Sequence, residues 1–169
     1  MNLRIQLKSS LKGAGKLAVL GVGSELRGDD AAGLLFARCL QESLRSNRRI
    51  SRKVKVFLGY TAPENLTGEI KRFGPSCLLI VDSADLRKKA GTLALIESCD
   101  IRGVSFSTHA LPLSIMADYL LKSFSCKVLF LVIQPKALDF GSSISLAVKK
   151  NVQKAASAAK NIILKSGKA

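Results

Sequence analysis

A chain of 169 residues is long enough for one α/β domain with a substantial buried core. Hydrophobic residues at 47% against 23% charged exclude a disordered chain, and no apolar run approaches the roughly 18 residues that cross a bilayer. The net charge of +15 raises nucleic acid as a partner, but Trp is absent and no RNA-binding aromatic signature accompanies the basic clusters at 45–55, 87–89 and 149–168. A solvated basic surface is the simpler reading, and an acidic protein partner fits it too.

In chain order, the basic amino terminus has no apolar stretch before Lys12, so no secretory signal is expected. LAVLGV at 17–22 reads as a buried strand, with GSELRGDD behind it as a turn. AAGLLFARCLQESLRS follows, in which Leu34, Leu35, Ala37, Leu40 and Leu44 suit one helix face. Asp29 or Asp30 falls at its first turn, where exposed amides and the helix dipole favour a carboxylate. Alternation around Val54, Val56 and Leu58 predicts a second strand, and ENLTGEIKRF a helix capped by Thr61. CLLIVD (77–82) and TLALIE (92–97) read as strands. His109 lies in a loop before the helical pattern LSIMADYLLKSF, and VLFLVI (128–133) is a further buried strand. Val148, Val152, Ala155, Ala159 and Ile162 mark one face of a last helix. Strands alternating with helices predict a single domain over 1–169, a three-layer α/β/α sandwich around a central, mostly parallel twisted sheet. The strand order is not readable at this level.

Four cysteines, Cys39, Cys77, Cys99 and Cys126, include no C-x-x-C pair, which argues against a zinc ribbon or a thioredoxin-type site. Cys77 and Cys126 border apolar runs and read as buried thiols of a reducing cytosol. Gly21-Val22-Gly23 lacks the third glycine of a dinucleotide fingerprint, and two acids occupy the helix mouth where pyrophosphate would sit. No G-x-S-x-G elbow is present.

Asp30 follows the first strand, Asp82 ends the strand CLLIVD, and His109, the single histidine, precedes a helix. In open α/β sheets ligands gather beyond the carboxyl ends of strands, which puts Asp30 and Asp82 near one another and lets His109 join them if its loop folds over that edge. One imidazole and two carboxylates suit an N/O metal site or acid–base work. Each also has a plainer reading: a carboxylate after a strand is often a helix cap, and a lone loop histidine is often structural.

These residues lie in segments that together resemble the hydrogenase maturation proteases, closest to the HycI-type members. The resemblance rests on LAVLGVGSELRGDDAAG (17–33), TAPEN (61–65), LLIVDSADL (78–86), STHALPL (107–113) and LFLVIQP (129–135), in family order and with family-like gaps. It implies an aspartic-type endopeptidase of the cytoplasm. Such an enzyme removes a short C-terminal extension from the NiFe-hydrogenase large-subunit precursor after nickel insertion, recognising nickel that the precursor supplies. Carried over residue by residue, Asp30, Asp82 and His109 become the metal-contacting and catalytic residues, with Asp85 a weaker candidate. A monomer without membrane or nucleic-acid partners is expected. Ser24, Ala31 and Leu58-Gly59-Tyr60 depart from the common pattern, the last bearing on choice of target. The rival readings are a metal-dependent hydrolase of another substrate on the same scaffold, and a basic nucleic-acid-binding module.

Overall fold

The structure is a computed structural model that describes residues 3–98, 105–106, 113–123 and 125–166. Five strands form its sheet: β1 (Leu17–Val22), β2 (Val54–Tyr60), β3 (Cys77–Asp85), β4 (Leu93–Glu97) and β6 (Lys127–Ile133). Their order is β2-β1-β3-β6-β4. The first four run parallel, and β4 lies antiparallel on β6 at one edge. A two-residue strand, β5 (Ser105–Phe106), pairs antiparallel with Ala84 and Asp85 at the end of β3.

β1 and β3 read as continuous apolar runs because both faces of the sheet are covered, as parallel sheets require. On one face, Leu17, Val19, Leu79, Val81, Leu129 and Leu131 pack with the helices α1 (Leu3–Leu11), α2 (Ala32–Leu44) and α6 (Leu146–Ser166). On the other, Leu20, Leu78, Ile80, Phe130 and Val132 pack with Ile70 of α4 (Thr67–Phe73) and with Met116, Ala117 and Leu120 of α5 (Leu113–Ser123). A short α3 (Arg48–Ser51) leads into β2. Two cores on opposite faces of one mostly parallel sheet are the three layers that the alternating pattern predicts.

The strand extends three residues beyond the predicted 77–82, through Ser83 and Ala84 to Asp85, because β6 and β5 continue to supply hydrogen-bonding partners there. The predicted face of α6 is buried at Val148, Val152, Ala155, Ala159 and Ile162. The helix after β2 begins differently from expectation. Pro63–Leu66 form a 3-10 turn before α4, its N-cap is Ala62, and no side chain caps it, so Thr61 does not serve as the cap. Instead, the Thr67 hydroxyl donates back to the Glu64 carbonyl at 2.8 Å.

α2 begins so near the sheet that Gly33 has no room for a side chain. A Cβ there would overlap the carbonyl oxygens of Val22 and Val81. That approach carries the turn before α2 to the carboxyl ends of β1 and β3.

Candidate active site at the carboxyl edge of the sheet

Both acids of the pair lie in a 3-10 turn, Gly28–Ala31, that feeds directly into α2. Asp29 and Asp30 are 1% and 0% exposed, yet neither side chain caps a helix. Their roles differ.

Asp29 faces away from β1, toward the segment after β6. Its Oδ2 accepts from the backbone amides of Lys136 at 2.7 Å and Ala137 at 3.3 Å, and from the Ser145 hydroxyl at 2.9 Å. Its Oδ1 accepts from the Ser145 amide at 2.6 Å. Backbone bonds from Gly28 N to Ser142 O (3.2 Å), Asp29 N to Ala137 O (3.0 Å) and Gly141 N to Leu26 O (2.8 Å) reinforce the junction. One buried carboxylate thus takes up otherwise orphaned donors on both sides of the 136–145 loop, just ahead of α6.

Asp30 faces β3. Its Oδ2 accepts from the Ser24 amide at 2.7 Å, and its Oδ1 from the Ser83 hydroxyl at 3.1 Å. The first bond closes the loop between β1 and the turn. At Gly23, φ is +131° and a Cβ would collide with the Asp30 carbonyl, so the loop shuts this tightly only around glycine. The Ser24 amide, which an anion at this turn would need, is occupied by the protein's own carboxylate. The bond comes from the backbone of Ser24, so it does not depend on the side chain at that position.

Asp82 is 1% exposed in β3, next to Ser83, and its Oδ1 accepts from the Ser83 amide at 2.7 Å. Side chains alternate along a strand. Asp82 therefore belongs to the face of Leu78, Ile80 and Ala84, and Ser83 to the α2 face of Leu79 and Val81. The sequence-predicted pair is brought to one edge, with Ser83 making the bond that ties the two segments together. Ser83 was not singled out in the sequence. The signal for it was available, since a residue one step beyond Asp82 must point to the side on which α2 packs.

Asp85 is exposed and serves a turn: its Oδ1 accepts from the Arg87 amide at 2.9 Å, and that bond, with a further one from Gln134, holds its carboxyl below the usual carboxylate range. Gln134 fastens the same loop to the end of β6, its Oε1 accepting from the amides of Leu86 (2.7 Å) and Lys88 (3.2 Å). His109 lies outside the described residues. Among the described residues, no three His, Cys, Asp or Glu side chains form a group able to hold a metal ion.

Cys77 and Cys126 are buried and unpaired, matching the sequence reading. Burial pushes the Cys77 thiol up to about 12 and the Cys126 thiol up to about 11, so neither offers a thiolate nucleophile near neutral pH. No helix of the described residues is long and apolar enough to cross a membrane.

The chain matches the family profile described as HycI, hydrogenase maturation protease, over residues 39–162. It is 35% identical over 140 residues to a Methanocaldococcus jannaschii protein provisionally assigned as a hydrogenase maturation protease, covering 82% of this chain and 83% of that one. It is 32% identical over 136 residues to the hydrogenase 3 maturation protease of Escherichia coli K12, covering 80% and 83%. Its fold superposes with a TM-score of 0.84 on the crystal structure of the [NiFe] hydrogenase maturation protease HycI from Thermococcus kodakarensis, at 25% identity and covering 94% of this chain and 99% of that one. A match across most of the sequence, on the same mostly parallel sheet, makes this chain a member of the hydrogenase maturation protease family and a maturation endopeptidase.

Proposed function

We propose that this endopeptidase removes the C-terminal extension of a NiFe-hydrogenase large-subunit precursor after nickel insertion, and that it recognises the nickel carried by that precursor. It works in the cytoplasm as a monomeric single domain, with the precursor as its partner. The observation that carries the reading is the environment of Asp30. A fully buried carboxylate is clamped through both oxygens, by Ser24 and Ser83, at the edge where β1 and β3 end. A side chain held this way is oriented before substrate arrives.

In this reading Asp30, Asp82 and His109 engage the precursor's nickel, and the scissile bond is fixed by that grip. Carboxylate and imidazole are ligand types that suit nickel. Positioning lowers a barrier by up to about 7–11 kcal/mol in well-oriented systems. Hydrolysis then needs a water directed at the scissile carbonyl and a group to take its proton. A carboxylate of the pair is the candidate base, since the buried Cys77 and Cys126 are held as thiols. Within the site, Asp29 anchors the turn and Ser83 aims Asp30.

The test is incubation with a nickel-loaded precursor, following loss of the extension by intact mass. Asp30→Asn, Asp82→Asn and His109→Ala should each reduce cleavage by about a hundredfold or more, the scale for loss of a general base or an essential ligand. Wild-type processing by any one of them would remove that residue from the mechanism.

A further inference from the structure

No lysine or arginine side chain belongs to the site described above, and one part of the basic surplus is gathered into a shaped surface. α1 precedes β1 and packs against the last turns of α6, with Leu7 and Leu11 buried. Arg4, Lys8 and Lys12 follow one another at intervals of four residues, so they share one face of α1 and its end. Together with Ile5 of α1, and Ile162 and Lys165 of α6, they line a groove of about 660 Å³ between the two helices. Four of its eight lining residues are cationic and none is acidic. Its apolar part includes Ile5, which is 59% exposed.

The groove is remote from the candidate active site. α6 starts beside Ser145, which is bonded to Asp29, and at ~1.5 Å per residue its 21 residues carry it roughly 30 Å to Lys165. α1 leads into the amino end of β1, whereas Asp30 follows its carboxyl end.

We propose that this groove docks an acidic amphipathic helix of a partner protein. Two packed helices offer the trough into which a third helix lays its apolar stripe, here against the exposed Ile5, with the buried Ile162 beneath it as part of the floor. Glutamates or aspartates flanking that stripe meet Lys8 and Lys12 on one side and Lys165 on the other. Charge complementarity selects an acidic partner, and the exposed isoleucine selects one with an apolar stripe. Nucleic acid fits less well, because no aromatic ring lines the groove for bases to stack on. A flat anionic surface would not fill a trough.

The test uses the full chain and a fluorescent synthetic peptide with leucines on one helical face and glutamates flanking them, read by anisotropy. Saturable binding is expected. Lys8→Glu with Lys12→Glu should weaken it about tenfold or more, since like charges then face the peptide. Lys149→Glu with Lys150→Glu, the same charge change on exposed lysines at the other end of α6, should weaken it less than about twofold, because screening limits distant charges. Ile5→Ser and a scrambled peptide of identical composition should both lose affinity. These substitutions sit at exposed positions, so circular dichroism should show an unchanged fold. Equal losses from the two charge-reversed pairs would overturn the proposal. So would indifference to Ile5→Ser and scrambling, or tighter binding of a single-stranded oligonucleotide of matched charge.

Discussion

The Ser83 hydroxyl donates to Asp30 Oδ1 at 3.1 Å, joining residues 53 positions apart in sequence. Both side chains are fully buried. With the Ser24 amide on Oδ2, this bond leaves the carboxylate little rotational freedom. A hydrogen bond to a charged group is worth about 1.5–3 kcal/mol. Ser83→Ala should therefore lower precursor cleavage by about tenfold, the lower end of that range, while the protein still unfolds cooperatively. Steady-state cleavage beside a denaturant melt checks this, and an unchanged kcat/KM would show that Asp30 is aimed by other contacts.

Asp29 anchors the turn that carries Asp30 to the segment ahead of α6. Four donors converge on it, from Lys136, Ala137 and Ser145. In Asp29→Asn an NH2 group would be turned toward some of those donors, leaving buried polar groups unsatisfied. A loss of about 2–4 kcal/mol is expected, which lowers Tm by roughly 5–15 °C for a chain of this size. The sequence reading of Asp29 as a helix cap implied a milder effect. A thermal melt separates the two, with a drop of only ~2 °C favouring a simple cap.

Two glycines should respond in opposite directions. Gly33→Ala would push α2 away from the ends of β1 and β3, costing about 3 kcal/mol and displacing the Gly28–Ala31 turn. Gly68 lies in α4 with open space where a side chain would go, so Gly68→Ala should stabilise by about 0.4–1 kcal/mol. Urea unfolding midpoints measure both. Equal effects would mean that the close approach at Gly33 is not what holds the turn.

Much of this was legible in the sequence. The apolar runs at 17–22, 77–82 and 128–133 marked central strands because residues buried on both faces leave no alternation, and the α6 face followed from helical spacing. α1 was not legible: its buried Leu7 and Leu11 are interleaved with basic and polar residues, and it packs against α6, which is distant in sequence. The antiparallel placement of β4 was not legible either, since strand direction is set by where the chain returns to the sheet. At the site, Asp30 and Asp82 stood out by chain position. The division of labour between Asp29 and Asp30 did not, because neighbouring acids in a turn look alike until their opposite-facing partners, Ser145 and Ser83, are known.

The buried thiols give a pH dependence. In the unfolded chain a cysteine ionises near 8.5, whereas Cys77 and Cys126 in the fold are held up to about 12 and 11. The folded state therefore keeps its protons where the unfolded state loses them. Their contribution is present below about pH 8.5 and declines as pH rises from there toward 11–12. Guanidinium melts between pH 7 and 10 should show stability falling above 8.5, and Cys77→Ala with Cys126→Ala should flatten that fall. Rapid alkylation of Cys77 or Cys126 in the native protein at pH 8, read by peptide mass mapping, would contradict their protection.

The most direct test of nickel-dependent processing follows one precursor in two forms, nickel-loaded and nickel-free, by intact mass with wild-type enzyme and with Asp30→Asn. Loss of the C-terminal extension is expected only from the nickel-loaded precursor. Asp30→Asn should reduce the cleavage rate by about a hundredfold or more, with a denaturant melt showing that the variant is still folded under the assay conditions. Equal cleavage of the nickel-free precursor, or wild-type cleavage by Asp30→Asn, would contradict these expectations.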